Sequence, residues 1–252
     1  MTFQRAFGTW SSLAGGGTAE ILAAARPDWL VLDAQHGTYD DAGMRTTLAT
    51  LGATPAGAVP VWVRLPDDAP SGIARALDAG ADGVIVPLVD TAEQAARAAG
   101  ACRYPPAGAR SFGPMRALTG RVVPTPAEAN NAVMCAVMVE TQIAAANVDE
   151  IAAVPGVDMV FVGPFDLAMA FGISVDELLS DGVVLDRIVA ACTAHGVRAG
   201  AFAGTAERAG VLFGRGFTDV AVLTDAGLLA TGAAAQLARW RGAEVDAAHS
   251  GY

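Results

Sequence analysis

Short apolar runs alternate with alanine-rich stretches along most of the chain. Eight runs have the length and composition of strands, and we predict strands at 6–10, 29–33, 59–64, 83–87, 134–140, 159–163, 197–203 and 218–223. The stretches between them predict helices near 18–25, 41–51, 71–78, 91–100, 142–152, 183–194, 206–213 and 225–240. Several strands are apolar on both faces, as expected of parallel strands covered by helices. This order predicts an α/β fold, a closed (β/α)8 TIM barrel, with a doubly wound open sheet as the alternative.

One stretch departs from this alternation. Residues 102–132 are rich in Pro, Gly and Arg, and we predict a long active-site loop there. No change in composition marks a domain boundary, so residues 1–252 are expected to form one domain. Aspartates that open or precede strands (Asp28, Asp82, Asp158 and Asp219) are predicted to form turns at the opposite, N-terminal face of the barrel.

Composition and charge exclude several classes of partner. Hydrophobic residues make up 53% of the chain and charged residues 17%, which allows a large core. No apolar run approaches the roughly 20 residues of a membrane span, and the first residues lack the pattern of a secretory signal. The net charge of −10 argues against nucleic acid and anionic membranes. We therefore expect a cytoplasmic protein whose partners are small molecules.

The absence of lysine limits the possible chemistry. All 16 basic residues are arginine. Schiff-base catalysis, pyridoxal phosphate chemistry and Walker-type phosphate loops all depend on lysine. The three cysteines have no zinc or disulfide spacing, so we expect each to be a small buried side chain. Carbonyl chemistry in this chain therefore points to a metal ion as the electrophile.

Candidate metal ligands follow two of the predicted strands. Glu140 ends an apolar strand, where a carboxylate is costly unless it is paired or coordinated. We favour a metal ligand there, with a salt bridge to an arginine as the alternative. Asp166 follows Gly163 and Pro164, and is expected both to ligate the metal and to cap a helix. Two carboxylates with open positions suit a hard cation such as Mg²⁺ or Mn²⁺.

A histidine and an arginine are expected at the same end of the barrel. His36 follows strand two, and its ordinary pKa suits proton transfer near neutral pH; the alternative is a hydrogen bond within its loop. Arg64 ends strand three and could bind a carboxylate or stabilise an enolate. Alternatively, Arg64 forms an ion pair with Asp33. Asp33 itself could either orient Arg64 or His36, or take part in the reaction.

These residues resemble a known family. The matching segments are Asp28–Asp33 with His36 and Gly37, Leu77–Ala81 with Val86 and Pro87, Arg103–Gly108 with Arg110 and Ser111, Val139–Thr141, and Phe161–Pro164 with Asp166 and Leu167. In order and spacing they resemble the HpcH/HpaI aldolase/citrate lyase family, which includes class II pyruvate aldolases such as the 4-hydroxy-2-oxoheptanedioate aldolases.

The resemblance implies a metal-dependent, reversible aldol reaction between pyruvate or a related 2-oxo acid and an aldehyde, through an enolate. It implies that Glu140 and Asp166 hold Mg²⁺, Mn²⁺ or Co²⁺, that His36 is the general base, and that Arg64 stabilises the enolate. It also implies that Asp78 pairs with His36. The strand pattern, however, puts Asp78 at the opposite end of the barrel, which leaves open a role in its own subunit, in a neighbour, or only in structure.

The resemblance also implies a homo-oligomer, typically a hexamer, with C-terminal helices exchanged between subunits. The substrate-binding residues expected from it are Arg64, Met138, Gly163, Phe165 and Asp166.

This chain departs from the family pattern at Gln35, Met138 and Phe165, where the family often has a glutamate, a glutamine and a small residue. We expect a more apolar pocket as a result. An acyl-coenzyme A thioester lyase and a non-catalytic barrel that binds 2-oxo acids remain the alternative functions.

Overall fold

The computed structural model describes residues 3–53, 59–115 and 122–241. Its eight strands are parallel, each pairs with the next along the chain, and β8 pairs with β1 to close the barrel. The predicted fold is therefore confirmed. The strands are β1 (Ala6–Ser11), β2 (Trp29–Asp33), β3 (Val61–Arg64), β4 (Gly83–Val86), β5 (Met134–Val139), β6 (Met159–Val162), β7 (Arg198–Phe202) and β8 (Asp219–Thr224).

Helices connect these strands around the outside of the barrel. Those in the described residues are α1 (Gly16–Ala24), α2 (Asp41–Leu51), α3 (Pro70–Ala79), α4 (Ala92–Cys102), α5 (Pro126–Ala132), α6 (Gln142–Ala146), α7 (Val148–Ala152), α8 (Pro164–Phe171), α9 (Val175–Asp181), α10 (Val183–His195), α11 (Ala206–Arg215) and α12 (Asp225–Arg241). All eight predicted helices are present, although the one predicted at 142–152 is divided into α6 and α7.

The prediction of one long loop at 102–132 is wrong at its C-terminal end. There, Thr125 caps α5 and exchanges hydrogen bonds with Glu128, which is a capping box. Residues 116–121 lie outside the described residues. Helix α9 was also not predicted, although Ser174 and Glu177 form the same kind of capping box at its start. Helix α8 was anticipated only as the helix that Asp166 was expected to cap. Local capping therefore outweighs a composition that is typical of loops.

The core has two layers. The larger cluster joins the outer face of the sheet to the helices, and includes Leu22 of α1, Ile73 of α3 and Leu212 of α11. The smaller cluster contains only strand residues and fills the barrel interior: Ala6, Trp10, Trp29, Val31, Trp62, Ile85, Ala136, Met138, Met159, Phe161 and Ala221. The barrel is thus a packed core, and its chemistry is confined to the ends.

Glycines make room for the large rings of this interior. A Cβ at Gly8 would lie 2.1 Å from the ring of Trp29, which is stacked on Trp62 with centroids 4.8 Å apart. A Cβ at Gly200 would lie 2.6 Å from the ring of Phe161. A side chain at either position would displace the rings that fill the barrel.

Aspartates join the strands in pairs at the N-terminal face. Asp28 accepts a hydrogen bond from the Phe7 amide of β1, and Asp158 accepts one from the Cys135 amide of β5. Asp82 accepts one from the first amide of β3, and Asp219 of β8 binds the guanidinium of Arg198 in β7. The predicted turn-forming aspartates therefore link β1 to β2, β3 to β4, β5 to β6 and β7 to β8.

Helix α12 is poorly covered in this single chain. Asp225 is its one buried residue, and its carboxylate accepts hydrogen bonds from Ser11 and from the Ser12 and Leu13 amides. Beyond that anchor, Leu229 and Trp240 are 59% and 89% exposed. In the described part of the chain, no helix has both the length and the apolar character needed to cross a membrane.

We predict that Asp158→Ala destabilises the barrel by about 1–3 kcal/mol, because it leaves the buried Cys135 amide and the guanidinium of Arg103 without their shared acceptor. Urea unfolding measures the loss. Asp158→Asn keeps an oxygen acceptor and serves as the control, with a smaller loss. Equal stability of the two variants would contradict the role assigned to this carboxylate.

Candidate active site

The predicted polar residues gather at the C-terminal ends of the strands. Because all eight strands are parallel, these ends share one face of the barrel, which we call the rim. Asp33 and Arg64 are the last residues of β2 and β3 and are direct partners in the strand register. Glu140 directly follows β5, and Asp166 lies four residues beyond the end of the neighbouring β6.

Asp33 organises one side of the rim. Its carboxylate accepts two hydrogen bonds from Arg64, 2.9 Å from Nε and 2.6 Å from a terminal nitrogen, and a third from Trp10 Nε1 at 3.2 Å. It also accepts hydrogen bonds from the backbone amides of Gln35 and His36. The carboxylate therefore orients Arg64 directly and holds the loop of His36, which is one of the two roles considered for Asp33.

The ion pair determines the charge state of Asp33. Burial alone raises the pKa of this carboxyl group, but the hydrogen bonds and positive charge of Arg64 outweigh it and lower the pKa below its usual value. Asp33 is therefore ionised at neutral pH. The guanidinium of Arg64 also lies 5.0 Å from the centre of the Trp10 ring, which holds its plane in place.

Glu140 is a buried carboxylate at the end of β5. It is 3% exposed, one carboxylate oxygen accepts the Leu88 amide at 2.7 Å, and it makes no ion pair within the described chain. The backbone of Leu88 has a φ of 55°, a conformation that non-glycine residues rarely adopt and that often accompanies function. A Cβ at Gly163 would lie 2.8 Å from the other oxygen, so glycine leaves that oxygen accessible.

Burial raises the pKa of Glu140 above its usual value, and the charges of Asp166 and Asp90 raise this pKa further. The hydrogen bond from the Leu88 amide and the charge of Arg64 lower the pKa but do not cancel the rise. Asp90 belongs to the loop after β4 and was missed by the sequence analysis, although residues after strand ends are where such groups are expected. Its carboxylate accepts a hydrogen bond from the Thr141 hydroxyl. Two carboxylates and one guanidinium therefore act on the charge of Glu140.

Asp166 is the third residue of α8, and the N-cap is Gly163. The expectation that Asp166 caps the helix is therefore wrong. Its carboxylate is exposed in the first turn, where the helix dipole favours negative charge, and it remains available for a ligand. No group of three or more His, Cys, Asp or Glu side chains in the described residues is arranged to hold a metal ion. A cation at Glu140 and Asp166 would take its other ligands from water or substrate.

The remaining predicted catalytic residues lie apart from each other. His36 is exposed at the rim, and its ring makes no hydrogen bond within the described residues. Asp78 lies near the C-terminal end of α3, which runs back from the rim, and it pairs with Arg110 at 2.7 Å. The expected pairing of Asp78 with His36 is therefore not made within one chain, and a contact with a neighbouring subunit stays a prediction.

An aromatic wall borders the predicted substrate positions. Met138 is buried in the barrel interior, and a Cβ at Gly163 would lie 3.2 Å from its terminal methyl group. Phe165 is half-buried, and its ring centre is 6.2 Å from that of Phe202 at the end of β7; Phe202 in turn lies 5.3 Å from Trp10. The more apolar pocket expected from the sequence stays a prediction.

Fold and rim together define a parallel barrel with a carboxylate and guanidinium site at its C-terminal face. Comparison with known proteins gives the particular family. The model of the HpcH/HpaI aldolase/citrate lyase family matches residues 6–231, and the chain belongs to that family.

Similar proteins agree with this assignment. The chain is 36% identical over 231 residues to the 2-dehydro-3,6-dideoxy-6-sulfogluconate aldolase of Pseudomonas putida. The alignment covers 88% of this chain and 87% of the relative. It is 38% identical over 228 residues to the 5-keto-4-deoxy-D-glucarate aldolase of Salmonella arizonae, and this alignment covers 89% of this chain and 88% of the relative.

Among solved structures, a HpcH/HpaI aldolase/citrate lyase family protein from Burkholderia cenocepacia superposes with a TM-score of 0.84 at 31% identity, covering 94% of this chain and 95% of that one. The predicted family and enzyme class, a carbon–carbon lyase of the aldolase type, are confirmed.

We predict that Glu140→Gln stabilises the metal-free protein at neutral pH. Because the pKa of Glu140 is raised in the fold, its contribution to stability is complete below its usual value of 4.5 and is lost as the pH rises through the raised pKa. In the presence of a chelator, the difference in melting temperature between the variant and the wild type should therefore increase from pH 4 to pH 7. A constant difference across this range would contradict the prediction.

Proposed function

We propose that this aldolase is metal-dependent and that it joins pyruvate or a related 2-oxo acid to an aldehyde, and cleaves the product in the reverse direction. The observation that carries the proposal is Glu140, a buried carboxylate that makes no ion pair within the described residues and has the exposed Asp166 as a like-charged neighbour. A carboxylate in this environment is stabilised by a cation.

The donor set suits a hard divalent ion. Glu140 and Asp166 offer only carboxylate oxygens, which Mg²⁺ and Mn²⁺ prefer, and Co²⁺ can also use them. The two residues would hold the ion and leave its remaining positions open. When bound, such an ion supplies a Lewis acid that polarises the keto group of the 2-oxo acid.

Arg64 is positioned to bind the anionic part of the substrate. Two of its nitrogens are held by Asp33, and its third nitrogen makes no hydrogen bond within the described chain. A guanidinium fixed in this way can donate to a carboxylate or to a developing enolate oxygen without reorganisation. In this role, the ion pair with Asp33 and the substrate contact use different nitrogens of the same group.

His36 is the proposed proton acceptor. In cleavage, His36 takes the proton of the C4 hydroxyl, the C3–C4 bond breaks, and its electron pair forms the enolate of the 2-oxo acid while the aldehyde leaves. Protonation of the enolate at C3 then gives the free 2-oxo acid. The Asp33 carboxylate holds the loop that carries His36 through the two amides of that loop. Synthesis follows the same steps in reverse.

The decisive experiment follows exchange of the pyruvate methyl protons in D₂O by NMR, which needs the enolate but no aldehyde. Glu140→Ala and Asp166→Ala should each lower the metal-dependent rate at least 100-fold. This corresponds to about 2.7 kcal/mol at 1.36 kcal/mol for each factor of ten. Chelation should abolish exchange, and Mg²⁺, Mn²⁺ or Co²⁺ should restore it.

Glu150→Ala, which removes an exposed carboxylate from α7, is the matched control for these variants. It should exchange at the wild-type rate. Undiminished exchange in a thoroughly metal-stripped wild-type protein would refute the metal-dependent mechanism.

We further propose that the protein is a cytoplasmic homo-oligomer in which α12 packs on another copy. The three cysteines are buried and free, in keeping with a reducing compartment. At 100° per residue, Leu229, Leu237 and Trp240 fall within roughly 80° on one side of α12. All three are exposed in the single chain, which is unfavourable for so large an apolar face. This supports the predicted exchange of C-terminal helices, with a hexamer as the expected assembly.

The double variant Leu229→Asp, Leu237→Asp should lower the mass of the assembly measured by light scattering, because it places two charges in the proposed contact. Thr231→Asp, on the opposite side of α12, is the control and should keep the wild-type mass. An unchanged mass in the double variant would rule out this face as the contact.

A further inference from the structure

Asp90 ties together the loops that follow β4 and β5. It lies two residues beyond Leu88, and its carboxylate, carbonyl and amide all have partners. The carboxylate accepts a hydrogen bond from the Thr141 hydroxyl, and the carbonyl accepts one from the Asn147 side chain at 2.8 Å. The amide donates to the Gln94 side chain at 2.9 Å. Asp90 is therefore held by α4 on one side and by the segment around α6 on the other.

These contacts reach Glu140, one of the two proposed metal ligands, along two routes. Thr141, whose hydroxyl binds Asp90, directly follows Glu140 in the chain. Leu88, in the same loop as Asp90, donates its amide to one carboxylate oxygen of Glu140 at 2.7 Å. Asp90 therefore acts on the backbone of Glu140 through Thr141, and on its carboxylate through the loop that carries Leu88.

The Thr141 hydroxyl has a fixed orientation. As the N-cap of α6, its oxygen accepts a hydrogen bond from the Ala144 amide at 3.0 Å. The same hydroxyl donates its proton to the Asp90 carboxylate, and a charged acceptor makes such a hydrogen bond stronger than one between neutral groups. Rotation of the Thr141 side chain, and a shift of the Glu140 backbone with it, would break both contacts.

The left-handed backbone of Leu88 depends on its surroundings. A non-glycine residue with a φ of 55° is unfavourable, and it persists only where neighbouring contacts hold it. Here one contact is the hydrogen bond from the Leu88 amide to Glu140, and the others hold Asp90, two residues along the loop. If the contacts of Asp90 were lost, we expect the loop to relax and to move the Leu88 amide away from Glu140.

Residues of this kind commonly orient the ligands of metal sites, and losing one weakens metal binding by roughly 10- to 100-fold. The charge of Asp90 is a minor influence, because it affects the pKa of Glu140 less than the charges of Asp166 and Arg64 do. We propose that Asp90 is a positioning residue of the cation site, and that its hydrogen bond with Thr141 holds Glu140 in the orientation that binds the ion. This inference rests on the proposed metal dependence.

The test measures Mn²⁺ binding to the metal-stripped protein without substrate, from the EPR signal of the free ion. Asp90→Ala and Thr141→Val should each bind Mn²⁺ at least about tenfold more weakly than the wild type, because each removes one partner of the same hydrogen bond. The double variant should bind Mn²⁺ about as tightly as the weaker single variant, since the shared contact is already lost. Thr141→Ser, which keeps the hydroxyl, should bind Mn²⁺ almost as tightly as the wild type.

Matched variants separate positioning from a lost helix cap and from a lost charge. Thr205→Val removes the cap of α11 at the same end of the barrel and should leave Mn²⁺ affinity unchanged. Asp90→Asn removes the charge but keeps an oxygen that can accept from Thr141, so it should retain most of the affinity. If only the charge mattered, Asp90→Asn would bind as weakly as Asp90→Ala, and Thr141→Val would bind like the wild type.

Pyruvate exchange gives a readout that general damage to the fold would not produce. Asp90 touches neither the ion nor the substrate in the proposed mechanism, so its loss should act through metal affinity alone. At saturating Mn²⁺, the exchange rates of Asp90→Ala and Thr141→Val should therefore return close to the wild-type rate. Thr141→Val serves as the second variant if Asp90→Ala fails to fold.

The outcomes also distinguish this inference from the proposed function. Suppose that the wild-type protein binds Mn²⁺ and exchanges the pyruvate protons only with the metal. If Thr141→Val then binds Mn²⁺ like the wild type, or if the losses of the two single variants add in the double variant, the role of Asp90 is overturned while the aldolase mechanism stands. A wild-type protein with no metal-dependent exchange would instead refute the mechanism itself.

Discussion

The arrangement of the rim depends on the ion pair between Asp33 and Arg64. The two side chains end neighbouring strands at matching positions, so the strand register alone brings them together. Once paired, the Asp33 carboxylate fixes the guanidinium over Trp10 and holds the amides of the loop that carries His36. Both charges are largely shielded from water, and removal of either one would leave the other buried and unpaired. Positioning and stability therefore come from one contact on this side of the site.

At Glu140 the balance of charge is the reverse of that at Asp33. Glu140 is buried as deeply as Asp33, but it forms no ion pair within the described residues. The carboxylates of Asp166 and Asp90 act on it as well as the guanidinium of Arg64. The fold thus keeps a local repulsion that a bound cation can relieve. Such sites commonly sacrifice stability for ligand binding. The left-handed backbone at Leu88, whose amide binds Glu140, is in keeping with that compromise.

Much of this architecture could be predicted from the sequence, because its signals are local. The strands are apolar on both faces, and a polar residue at the C-terminal end of such a strand must lie near the rim. The sequence therefore predicted that Asp33, Arg64 and Glu140 share one end of the barrel. The capping boxes at Thr125 and Ser174 are equally local signals, but the sequence analysis did not use them, and it interpreted the Pro- and Gly-rich stretch around Thr125 as a loop.

Contacts between distant segments could not be predicted in the same way. Nothing in the sequence near Asp78 shows that its partner in the chain is Arg110. Likewise, the packing of Arg208 on Phe165 joins the loop after β6 to the helix after β7, and depends on the rotamers of both side chains. Such contacts appear only when the closed barrel brings their helices and loops side by side.

The pairwise aspartate links at the N-terminal face have a consequence for how the protein can change over evolutionary time. They tie consecutive strands together two by two, at the end of the barrel remote from the chemistry. Substitutions in the loops after β6 and β7 leave all four aspartate contacts intact. New substrate preferences can therefore arise by drift in those loops, while the scaffold that carries them is inherited unchanged.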